Sequence, residues 1–166
     1  MQIINSFECF IFHFNSQHLL IRLIMFTTSH LHPMLVHFPI ALVIFGFLAE
    51  IALLFFKKEV SLSKMGYYLL IAGTLAAIVA WLTGIFFTTE MDGAAGKMRE
   101  THELFATITL VLLLLTSVFR TTLLIMKNEN SLFRLLAFFL YALAAISVSI
   151  TGYLGGSLVY NYMLGL

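Results

Sequence analysis

A single cysteine, Cys9, stands in the 166 residues. It excludes an internal disulfide, a thiolate cluster and the two-cysteine sequence that attaches heme covalently. Cys9 itself is read as a small apolar residue, so cysteine usage says nothing about compartment. Charge is also scarce. Asp, Glu, Lys and Arg make up 10% of the chain, against about 25% in soluble domains. A net charge of +1 offers little to a nucleic-acid backbone, which excludes that partner class. So few polar residues build no catalytic triad, phosphate loop or acid/base pair, and the chain is not read as an enzyme on its own. Only two prolines occur, Pro33 and Pro39, and they flank one histidine, His37.

Apolar residues are abundant instead. They form 61% of the chain, and the mean hydropathy of +1.01 places it in the membrane class. Four apolar runs cover about residues 34–56, 67–88, 104–126 and 135–160. Each exceeds the roughly 20 residues needed to cross a bilayer core of about 30 Å. Backbone groups in lipid must be satisfied within the segment, so each run is expected to be a helix. The connections are short, which forces neighbouring helices to run antiparallel. The expected fold is all-α: an integral membrane four-helix bundle, up-down-up-down, over residues 31–166.

Residues 1–30 form an N-terminal arm outside that domain. The first 24 are apolar but interrupted by Asn5, Glu8, His13, Asn15, Gln17, His18 and Arg22. They lack the basic start and small-residue cleavage site of a signal peptide. The arm is either interfacial or the product of a wrongly chosen start codon, with Met25 the true start; the second reading is preferred. No function is placed on His13 or His18.

Lys57, Lys58 and Lys64 lie in the first loop, and Lys127 and Arg134 in the third. The positive-inside rule puts these loops in the cytoplasm, with both termini and the middle loop outside. Near the cytoplasmic end, Glu50 on span one and Arg120 on span three each sit about 9 Å inside the membrane. A lone charge there is costly. Either the two pair and tie the spans together, or Arg120 snorkels to the headgroups alone. Small residues recur at helical spacing on span two (Gly73, Ala77, Ala80, Gly84) and span four (Ala142, Ala145, Ser149, Gly152, Gly156), which lets helices approach closely.

The outer end gathers the residues with chemical potential. His30, His32 and His37 open span one. Pro33 suits the first helical position, which leaves His32 near the cap. Pro39 cannot donate to the carbonyl of Leu35 and is expected to bend the helix beside His37. His102 opens span three at a comparable depth. Two imidazoles from different helices are what axial heme ligation requires, and with His32 they also form a candidate metal set. Gly152, Gly155 and Gly156 remove bulk where a flat cofactor would lie, with Trp81 and Tyr153 at its edge. Each histidine has a plainer reading as a helix cap or a hydrogen-bond partner of a backbone carbonyl, and Trp81 and Tyr153 as interfacial anchors. Glu90 and Asp92 around Gly93 are read as a solvated turn.

The segments His32-Pro-Met-Leu-Val-His-Phe-Pro-Ile40, Trp81-Leu-Thr-Gly84, His102, and Thr151-Gly-Tyr-Leu-Gly-Gly-Ser-Leu-Val-Tyr160 resemble the bacterial membrane family called domain of unknown function 2231. The resemblance runs from about residue 31 to residue 166. It implies a four-helix unit of the bacterial inner membrane, and relatives fused to cytochrome c-like or iron–sulfur domains imply a role near electron transfer. No such redox domain is appended here. The expectation is a b-type heme protein that passes electrons to a partner protein at the outer face, with His37 and His102 as axial ligands and His32 as a supporting or alternative ligand. The alternative is a non-redox structural subunit or assembly factor. A metal-ion carrier is disfavoured, because only span one is interrupted.

Overall fold

The computed structural model describes residues 31–163 except 57, 58, 89, 90 and 129; the N-terminal arm and its histidines lie outside the described residues. The elements are α1 (Leu31–Leu35), α2 (His37–Phe55), α3 (Val60–Phe87), α4 (Gly93–Ile125) and α5 (Ser131–Leu158), followed by a short π turn, Val159–Met163. Four segments are long and apolar enough to cross a membrane, α1 and α2 together forming the first. There is no strand among the described residues. Connections of four or five residues are too short to return a chain along a 28-residue helix, so successive helices run in opposite senses.

The bundle is two tightly packed hairpins, α2 with α3 and α4 with α5. They close through α3 against α4 and α2 against α5, which leaves α2 and α4 across the diagonal. Small residues on α3 explain the first hairpin. A Cβ on Gly73 would stand 2.8 Å from Cγ2 of Val43, so only glycine admits α2 at this distance. Val43, Leu70, Leu113 and Tyr141, one from each spanning helix, are wholly buried and form the central plug with Ala77, Ala144, Ala145 and Val148. Large residues such as Phe45, Phe55, Leu115 and Ile125 face outward, as expected where the surroundings are as apolar as the core.

Two sequence expectations change. The small-residue face of α5 is Ala137, Ala144, Ala145 and Ser147, whereas Ser149 and Gly156 are exposed. The helix holding His102 begins at Gly93, eleven residues before the apolar run. Ala94, Ala95, Lys97, Met98, Arg99 and Glu100 are good helix formers that carry the helix past its apolar part. Gly93 takes a φ of +65° where the chain turns in, a conformation glycine adopts freely. Pro39 leaves the carbonyl of Leu35 without its usual donor, and span one is irregular at Val36, between α1 and α2, where the backbone keeps helical φ and ψ of −64° and −21°.

Glu50 and Arg120 form an ion pair across the diagonal, and both side chains are largely buried. Gly66 on α3 makes room for the Glu50 carboxylate. Hydroxyl bonds knit α3 to α4: Thr74 to Ser117 at 2.8 Å and Tyr67 to Thr121 at 3.1 Å. Asn130 caps α5 by accepting from the backbone N–H of Leu132 at 2.9 Å.

Candidate functional site: a histidine pair across the bundle

It is His32, not His37, that the fold brings to His102. The two rings have centroids 6.4 Å apart and planes inclined at 77°. His32 comes from α1, and its ring lies over Gly84 of α3, where an added Cβ would stand 3.1 Å from His32 Cε1. His102 comes from α4, and its ring lies over Gly155 of α5, where an added Cβ would stand 2.9 Å from His102 Cε1. Each imidazole thus rests on a glycine of the neighbouring helix, one glycine in each hairpin. Both residues are half-buried.

The hydrogen bonds fix which nitrogen carries the proton. The Nδ1–H of His102 donates to the carbonyl of Thr151 at 3.1 Å, because a carbonyl only accepts. Nδ1 of His32 lies 3.1 Å from Oγ1 of Thr83. Thr83 spends its own hydrogen on the carbonyl of Ala80 at 2.8 Å, so it accepts from His32. In both neutral rings Nε2 is then the lone-pair nitrogen. Donation of the other ring N–H to an oxygen is how ligating histidines are commonly oriented.

A second layer of hydroxyls holds the His102 partner in place. Thr151 donates to the carbonyl of Ser147 at 2.9 Å, and Thr109 donates to the carbonyl of Phe105 at 2.7 Å. Thr109 also meets Ser147 at 2.7 Å and Thr151 at 3.0 Å. These contacts pin α4 to α5 within two turns of His102.

The remaining sequence candidates fall elsewhere. His37 is exposed, and its Nδ1–H closes on the carbonyl of Pro33 at 2.8 Å, a bond within its own turn. Among the described residues no three His, Cys, Asp or Glu side chains converge on a common point, so the set His32, His37 and His102 does not assemble. Gly152 does not clear space for a flat group: Ile40 fills it, 2.8 Å from where a Cβ would be. Gly155 is filled by His102, and only Gly156 faces open space. In each filled case the missing side chain admits a neighbouring one. Trp81 donates from Nε1 to Oγ1 of Thr107 at 3.2 Å and ties α3 to α4. Tyr153 is 75% exposed on the outside of the bundle.

The sequence reading missed Thr83, Thr151 and the ranking of His32 over His37. Helical counting holds the signal. Eighteen residues separate His32 from Glu50 and eighteen separate His102 from Arg120. Eighteen residues are about five full turns, so each histidine falls on the face of its ion-pair residue. His37 is thirteen residues from Glu50, which points it roughly 140° away.

Residues 28–166 match the family described as "Predicted membrane protein (DUF2231)". The chain belongs to that family. Membership covers all four spans and both histidines of the pair, and the family description names no cofactor or reaction. No curated protein and no solved structure matches this DUF2231 member.

Proposed function

We propose that this DUF2231 protein is a membrane-embedded electron carrier in which His32 and His102 would hold a b-type heme. The supporting observation is the ring pair itself. The imidazole centroids stand 6.4 Å apart, close enough for both rings to reach one metal ion through nitrogens bound at about 2 Å. Both Nδ1 atoms are committed to oxygen partners, which leaves both Nε2 atoms as donors. The number of donors also favours heme. Structural zinc takes four protein ligands and catalytic zinc three; among the described residues two meet here, which suits a heme, whose porphyrin would supply further nitrogens.

Held by these two imidazoles, a heme would supply one-electron transfer. The rest of the chemistry lies with the chain. Thr83 and the Thr151 carbonyl orient the rings and raise their basicity. Gly84 and Gly155 let each ring seat against a helix backbone. The lysine-bearing loops at the opposite end favour a bacterial inner-membrane orientation with the histidine pair at the outer face, both termini outside, and a redox partner protein there.

The test is the absorption spectrum and metal content of full-length protein purified after expression with ample heme. A Soret band is expected in the wild type and in His37→Ala, and its loss in His32→Ala and in His102→Ala. A wild-type protein without heme overturns the proposal. A non-redox structural subunit is the second reading, favoured by one observation: protein side chains already fill the spaces at Gly152 and Gly155. It expects His32→Ala and His102→Ala to lower abundance with no cofactor in any variant.

A further inference from the structure

Midway along α5, Tyr141 presents an unanswered donor. Its side chain is 0% exposed, yet its hydroxyl has no hydrogen-bond partner among the described residues. The phenol reaches across from α5 to α2 and occupies the space that Gly46 leaves by having no side chain. Gly46 and Glu50 are one helical turn apart on α2, so the hydroxyl sits on the face that carries the Glu50 carboxylate. The Arg120 guanidinium meets that carboxylate from α4. Phe47 stacks beside its ring with centroids 5.6 Å apart, which keeps that flank apolar.

A hydroxyl buried without a partner is costly, and few persist in folded proteins. A phenylalanine would fill the same volume without that cost. The Glu50–Arg120 contact is made by one guanidinium nitrogen and one carboxylate oxygen. A guanidinium carries five N–H donors and a carboxylate about four acceptor positions, so each side keeps unused capacity.

We infer that Tyr141, Glu50 and Arg120 together bind one water molecule inside the membrane. The water accepts from the Tyr141 hydroxyl and from a spare guanidinium N–H, and donates to the carboxylate. Three polar partners are the usual complement of a buried water. The site lies about a turn and a half from the end of α2, so the water brings exchangeable protons to a carboxylate held in lipid. It is independent of the histidine pair and does not rest on heme.

The experiment is radiolytic footprinting of the full-length protein in lipid nanodiscs, with unfolding midpoints measured alongside. Hydroxyl radicals made from a bound water label the side chain that holds it, even one shielded from bulk solvent. Rapid labelling of Tyr141 is expected, severalfold above its rate in a protein dehydrated before exposure, together with a lower unfolding midpoint in Tyr141→Phe. A Tyr141 that stays unlabelled overturns the inference. So does a Tyr141→Phe variant as stable as the wild type or more so, the result expected for a hydroxyl that binds nothing.

Discussion

Gly155 and Gly156 are neighbours on α5, yet an added methyl group meets His102 at the first and nothing at the second. Alanine favours a helix over glycine by about 1 kcal/mol, so propensity alone would have both substitutions stabilise. Packing reverses that sign at Gly155. A Cβ 2.9 Å from His102 Cε1 must displace the ring, and the ring is tethered to the Thr151 carbonyl. Gly155→Ala is expected to cost about 1–3 kcal/mol, the usual range for overpacking. Gly156→Ala is expected to be neutral or mildly stabilising. Unfolding in detergent, monitored by circular dichroism, checks the pair of variants; equal midpoints would remove the case for a seated His102. At this scale the sequence was only partly legible. A run of glycines shows that something approaches closely, but whether it is a ring of the protein or a flat ligand depends on a neighbour far away in the chain.

The helices themselves were readable because four apolar runs of sufficient length leave little alternative in lipid. Their ends were less so. The start of α4 hides in a charged, glycine-flanked stretch whose alanine, lysine and glutamate residues are good helix formers all the same. The irregularity of span one at Val36 followed from Pro39, but its slightness did not: Val36 keeps helical φ and ψ of −64° and −21°, so His32 stays on the face of Glu50 while His37 points away from it. This makes Pro39 an element-scale control. Pro39→Ala restores the donor to the Leu35 carbonyl, and the substitution removes a helix penalty of about 3 kcal/mol. A helix made regular through Val36 is expected to keep His32 at Thr83. The readout is the imidazole resonance of His32 in detergent micelles. The Nδ1 proton held by Thr83 should stay protected in Pro39→Ala, as should that of His102. Rapid exchange of the His32 proton in the variant would show that the irregularity at Val36 sets the pair.

Across the whole molecule, α1–α2 and α4 are joined twice although they lie on the diagonal, by His32 with His102 at one end and Glu50 with Arg120 at the other. Equal spacings of eighteen residues put the two bridges about 27 Å apart, close to the thickness of the hydrocarbon core. Between them stands the apolar plug of Val43, Leu70 and Leu113, with the ring of Tyr141. The histidine pair therefore sits near one interface and the ion pair about 9 Å inside the other, and each brings together the two hairpins that otherwise pack mainly within themselves. Removing one partner of a buried ion pair leaves the other uncompensated, at about 3–5 kcal/mol. Glu50→Gln and Arg120→Gln should each lower stability by about that much. The double variant should lose clearly less than the sum, since it strands no charge. Unfolding free energies in mixed micelles close the cycle, and additive losses would mean that the two charges are solvated separately. The same variants test how far the bridges communicate. Sites separated by more than about 10 Å and sharing no partner contribute independently, so combining Glu50→Gln with Gly155→Ala should give the sum of their separate losses. A marked departure from that sum would mean that the plug transmits strain from one face of the membrane to the other.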